Sequence, residues 1–160
     1  MIFATAGAKL YIGSAIANPH ADLNVATFTS QDWVEIKHTE NLGRAGDASA
    51  EIALDHIDQT RTTRLKGTRN AGAMEVICSF DSTDSGQIAL IAAEKTIHDY
   101  AFRLVFNDAP AGGTPSERMF IAAVGGAEEV FDTANDSVKL QSSLWINSNI
   151  VRVAAAPNGD

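Results

Sequence analysis

Four cations, Arg61, Arg64, Lys66 and Arg69, fall within nine residues of a chain whose formal net charge is −8. Cationic side chains at this density can hold phosphates or pair with carboxylates, and four carboxylates, Asp47, Glu51, Asp55 and Asp58, stand just upstream. Three readings fit: a solvated loop, a phosphate-binding loop, and a docking arm that lies against acidic surface of another copy. Phosphate binding is disfavoured because the cluster lacks aromatic neighbours and the chain is acidic, whereas general nucleic-acid affinity comes mainly from cations. An acidic block beside a basic one suits head-to-tail association, in which unlike patches meet and the assembly closes into a ring or continues as a filament. Charge complementarity there fixes register more than it adds affinity.

The other reactive groups do not converge. Asp55 and His56 could be drawn as an acid–base pair, but adjacent strand residues point to opposite faces. Cys78 lies between Val76 and Phe80 on an apolar face, where it reads as a small buried hydrophobe. A single cysteine excludes an internal disulfide and any multi-cysteine zinc site, and the histidines at 20, 38, 56 and 98 lack close ligand spacing. Phosphate-binding glycine patterns and nucleophile elbows are missing. Trp33 and Trp145 read as core or interface anchors, since neither sits in a basic segment. No catalysis, cofactor or metal is expected.

The elements that would position these residues are mainly strands. With 160 residues and 45% hydrophobic content, the chain is one domain, 1–160, whose ends, 1–8 and 154–160, are expected to be flexible. The start carries no basic stretch ahead of its apolar residues, and no apolar run approaches a span of ~20 residues, so a chain made in the cytoplasm, with no membrane partner, is expected. Period-two alternation puts Met74, Val76, Cys78 and Phe80 on one face. It does the same for Tyr100, Phe102, Leu104 and Phe106, and for Val138, Leu140, Leu144 and Ile146. Shorter candidates, "KLYI", "WVEIKH", "EIALD", "RMFIAAV" and "IVRV", bring the count to about eight strands. The segment "DSGQIALIAAEKTIH" has helix spacing, with Asp84 as N-cap and Gln87 as its box partner, and Ile88, Leu90 and Ile91 are expected to supply its core contacts. Residues 14–30 read as a polar loop. Residues 41–72 form a long charged arm, with Ala50, Ala53, Leu54 and Ile57 at helical spacing but turn-rich flanks that favour an extended hairpin. The fold class is mainly β: an antiparallel sandwich or partial barrel with one flanking helix at about 84–97.

The order of these elements resembles the phage tail tube proteins, the major tail proteins of long non-contractile tails. The resemblance covers roughly residues 8–153, and its most specific parts are "LKGTRNAGAMEV", "DSTDSGQIALIAA" and the ending from "ERMFIAAV" to "LWINS". It implies a structural subunit of a virion or gene-transfer particle, six copies to a ring, with rings stacked into a hollow tube through which DNA passes without specific binding. Other tail proteins (tape measure, tail terminator, distal tail protein) are the implied partners. Tube proteins of contractile tails and type VI secretion systems share the fold and are the nearest alternatives; a small acidic single-strand-binding or adaptor β-barrel is a third. An acidic lumen would let DNA pass, with Glu35, Glu75 and Asp81 as lumen candidates because they are polar positions opposite an apolar face. The cluster at 61–72 becomes, on this reading, part of an inter-ring docking arm.

Overall fold

A computed structural model describes residues 1–158. Ten strands and one α-helix follow the order β1 (Lys9–Ala15), β2 (Val34–Ile36), β3 (Thr39–Asn41), β4 (Ala48–Leu54), β5 (Thr63–Asn70), β6 (Ala73–Ser79), α1 (Ser85–Glu94), β7 (Asp99–Val105), β8 (Glu117–Val130), β9 (Lys139–Ile146) and β10 (Val151–Val153). All pairings are antiparallel: eight strands form a sheet of order β2-β1-β7-β8-β9-β6-β3, with β10 added on β8, while β4 and β5 form a separate two-stranded sheet.

The large sheet curls because of two places where the chain turns a corner. The strands β2 and β3 occupy opposite edges of the sheet yet are joined by only Lys37 and His38. Alternating antiparallel pairs make them run in the same direction, so Val34–Asn41 is one extended run whose first part pairs with β1 and whose second pairs with β6. His38 takes a left-handed backbone at the break, φ 62°. The second corner lies in β8, whose start pairs with β7 and β10 and whose end pairs with β9, with a bulge between Val124 and Gly126. The two edges meet without a β ladder between them, so the sheet stays an open, partial barrel.

Burial follows the alternation in the sequence. Leu10, Ile12, Ile36, Met74, Val76, Cys78, Phe102, Phe120, Leu140 and Leu144 are buried and belong to one cluster with Leu90 and Ala93 of α1. A helix of ten residues is only about 15 Å long and cannot cover strands spaced ~4.8 Å apart across the whole sheet. The two halves of the sheet therefore cover each other.

A second, smaller core has no counterpart in the period-two reading. On the outer face of β7, β8 and β10, Ala101, Met119, Ile121 and Val151 are buried beneath Leu23 and Phe28, with Ile16 and Trp33 packed beside them. The covering segment is the expected polar loop, which carries a 3-10 turn at Val25–Phe28. The Asn149 amide clamps it, accepting from Leu23 N (2.7 Å) and donating to Leu23 O (3.2 Å).

The N-terminus of α1 closes the seam between the sheet edges. Asp84 caps the helix as expected, its Oδ2 accepting from Gln87 N (3.2 Å) and also from Lys37 N (3.1 Å). Gln87 does not complete a capping box. Its Nε2 instead donates to Lys37 O (3.1 Å) and Ser79 O (2.9 Å), and its Oε1 accepts from Asp81 N (3.0 Å), tying β2, β6 and the helix approach together from a fully buried position. Gln87→Leu would strand two carbonyls and one N–H, each costing about 1–3 kcal/mol if left unpaired. We expect a loss of several kcal/mol by denaturant titration, against a near-neutral change for the exposed Glu94→Gln.

The helix ends at Glu94, short of the expected 97, and Thr96 caps the Ala93 carbonyl. Of its expected core residues only Leu90 is fully buried; Ile91 is half-buried and Ile88 faces solvent, as does Ile97 beyond the helix. Phe3 packs on Phe106 at the N-terminal end, and Ala156 exchanges two hydrogen bonds with Thr114 near the C-terminal end. Residues 159 and 160 of the expected C-terminal end lie outside the described residues.

Candidate functional site

The charged arm is a β-hairpin, not a helix. Thr62, Thr63 and the turn-rich flanks favour extended backbone, and its tip is closed by Gln59 N donating to His56 O (3.2 Å) and Thr62 Oγ1 donating to Asp55 Oδ1 (2.6 Å). The hairpin pairs with no strand of the large sheet. Its residues are almost all exposed, so its rigidity comes from its own ladder.

The register gives the hairpin two unlike faces. Ser49 stands opposite Arg69, Glu51 opposite Lys66 and Ala53 opposite Arg64, which makes one face polar. On the other face Ile52 stands opposite Leu65 and Leu54 opposite Thr63. The apolar face is 46% exposed at Ile52, 38% at Leu54 and 50% at Leu65, and Ile57 at the tip is fully exposed. Among the described residues no element outside the hairpin pairs with or buries them.

The acidic and basic blocks meet within this one hairpin. Arg64 Nε lies 3.3 Å from Glu51 Oε1, and Arg69 Nη2 donates to Asp47 Oδ2 at 2.6 Å. Asp55 is held by Thr62. Among the described residues Arg61, Lys66 and Asp58 have no ion-pair partner. The charges free to reach another surface are therefore fewer than the sequence implied, and the apolar face is the feature that the charge reading overlooked. Its signal was present as the alternation of Ala50, Ile52 and Leu54, obscured by the helical spacing of Ala50, Ala53, Leu54 and Ile57.

No family model matches this sequence, and no curated protein is similar to it in sequence. Solved structures do match in fold. A chain of the anti-feeding prophage (AFP) baseplate superposes with TM-score 0.68 over 98% of this chain and 99% of that one, at 7% identity. The SPP1 tail tube does so with TM-score 0.58 over 93% of this chain and 78% of that one, at 18% identity. This chain has the tail-tube fold. At such identities the likeness lies in backbone architecture alone.

Within the tail-tube fold the three lumen candidates separate. Glu35 on β2 and Glu75 on β6 point away from the core, as the alternation requires, beside the inward Ile36 and Val76. Glu75 accepts from Ser143 Oγ on the neighbouring strand (2.8 Å). Asp81 lies beyond the end of β6 in a turn. Hydrogen bonds from the Thr83 hydroxyl (2.7 Å) and backbone N–H (2.9 Å) hold its carboxyl below the usual range, helped by His38 at 3.3 Å.

Cys78 is buried in the core, and burial, with Asp84 and Glu40 nearby, pushes its thiol from 9.0 up to about 11. A raised folded-state value means stability that is present below pH 9 and lost as pH rises from 9 to about 11. The thiol should resist a thiol-reactive dye at pH 8 until denaturant unfolds the chain. Between pH 9 and 11 the denaturation midpoint should fall more steeply than in Cys78→Ala.

Proposed function

We propose that this protein is a structural subunit of a phage or phage-like tail: copies close into rings of six, and rings stack into a hollow tube through which DNA passes. The observation that carries this reading is the β4–β5 hairpin, which stands off a tail-tube fold and presents an uncovered apolar face. Exposed apolar surface of this kind marks an interaction site, and repetition around a ring multiplies a modest contact. The reading assigns the chain no reaction and no cofactor. Its partners are other copies of itself and the proteins that start, measure and terminate a tail.

The net charge of −8 supports a lumen that does not retain DNA, since a basic wall would hold the duplex through counterion release. Glu35, Glu75 and Asp81 are proposed contributors to that wall. A second reading, a component of a baseplate of the anti-feeding-prophage kind, draws on the higher TM-score to that baseplate.

Sedimentation of the purified full chain tests the assembly claim: large particles are expected, shrinking when the hairpin, residues 47–70, is replaced by a short glycine-rich turn. A wild-type chain that stays a monomer at every concentration, both alone and on a tail-initiating complex, would refute it.

A further inference from the structure

We propose that an arginine-rimmed apolar cavity at one end of the sheet receives the acidic, phenylalanine-bearing β8–β9 loop of a second copy. The cavity, of about 350 Å³, opens where β8 begins, and Met74, Leu104, Phe106, Phe120 and Ile150 make its wall apolar. Three arginines surround it, Arg44, Arg118 and Arg152, and among the described residues none has an ion-pair partner.

That arrangement is costly for the isolated chain. Arg118 and Arg152 stand directly opposite each other in the β8–β10 ladder, a position where like charges destabilise a sheet. The nearby carboxylate of Asp108 is engaged by Ser116, whose hydroxyl and N–H donate to it at 2.6 and 2.8 Å. The Arg118 guanidinium lies 4.8 Å above the Phe106 ring and donates to its neighbour's carbonyl. Burial, first, and Arg152 push Arg118 toward giving up its proton, against a smaller opposing pull from Asp108. Three unpaired cations around an apolar cavity, in an acidic chain, call for an anionic group that carries an apolar side chain.

The chain itself supplies one. At the far end of β8, Phe131 is 62% exposed and is flanked by the exposed carboxylates Glu128, Glu129 and Asp132. None of these makes an ion pair among the described residues. The hairpin tip is also apolar and acidic around Ile57, but Arg61 lies beside it and would meet the arginines as a like charge. Cavity and loop sit at opposite ends of a 14-residue strand, on the order of 40 Å apart measured along the strand at ~3.3 Å per residue. They cannot meet within one chain, so their contact joins copies head to tail, the geometry that gives rings or filaments. This inference rests on the self-association proposed above, and adds a joint separate from the hairpin.

Full-length Asp132→Cys and Arg44→Cys variants, mixed and treated with a mild oxidant, test the joint, the native Cys78 being buried. A disulfide-linked dimer should appear in the mixture and be at least several-fold weaker in either variant alone. Adding Phe131→Ala to the first variant should abolish it, and in an otherwise native chain should raise the concentration needed for assembly by roughly tenfold or more. If wild-type chains assemble while the mixture gives no dimer, the loop does not enter the cavity and the hairpin reading survives. If wild-type chains do not assemble, alone or on an initiating complex, and no dimer forms, both fall.

Discussion

Leu90→Ala is expected to destabilise the fold by roughly 2–5 kcal/mol, the cost of removing a leucine side chain from a site that cannot collapse around the space left behind. Leu90 is fully buried in the main core with Ala93, and α1 packs on β1, β2 and β8. The helix lies where the sheet edges meet without a ladder, so loosening it opens the seam as well as the cavity. For a domain of this size the melting temperature should fall by about 5–20 °C. Ile88→Ala, on the exposed side of the same helix, should change stability by less than about 0.5 kcal/mol. Equal effects at the two positions would mean that α1 does not pack through Leu90.

Replacing Ile52 and Leu65 together by threonine should abolish or severely weaken assembly while leaving the folded body unchanged. Threonine keeps the β-propensity of the hairpin and removes apolar area from its uncovered face. Fully burying an aliphatic side chain contributes about 1.5–3 kcal/mol; half that is available here, because the residues are already half-covered. Two residues in every copy then shift the assembly concentration by at least tenfold per joint. The cations contribute less, since exposed pairs are worth only ~0.2–1 kcal/mol. Reversing Arg64 and Arg69 would also break their pairs with Glu51 and Asp47, confusing docking with the hairpin's own integrity. Arg61→Glu is the cleaner charge test, since Lys66 stands opposite Glu51 and reversing it would set two carboxylates face to face; its effect should shrink as salt is raised. Sedimentation with circular dichroism as the folding control measures both. If the threonine variant sediments as wild type does, the apolar face has no partner.

The main sheet was legible because its strands alternate: Met74, Val76 and Cys78, or Leu140 and Leu144, announce an inward face without any tertiary information. The helix was legible through Asp84 and the run that follows it. What could not be read is set by contacts distant in sequence. Leu23 and Phe28 lie in a segment of polar composition, and only the apolar outer face of β7, β8 and β10 makes them core residues. Gln87 looked like the partner of a capping box, whereas the seam between β2 and β6 gives it three other partners. In the arm, charge drew the eye to Arg61, Arg64, Lys66 and Arg69. The register that aligns Ile52 with Leu65 is set by the turn between Leu54 and Thr63, and a shift between Ser49 and Glu51 offsets only the Arg69 end; residue types announce neither.

Electron cryo-microscopy of the purified full-length chain, concentrated without other tail proteins or on their initiating complex, tests the central claim most directly. The account predicts stacked six-fold rings around an open channel, with the 47–70 hairpin of each copy pressed against the next ring and Ile52 and Leu65 covered. Particles that remain single subunits under both conditions, or rings whose hairpins project freely into solvent, would contradict it.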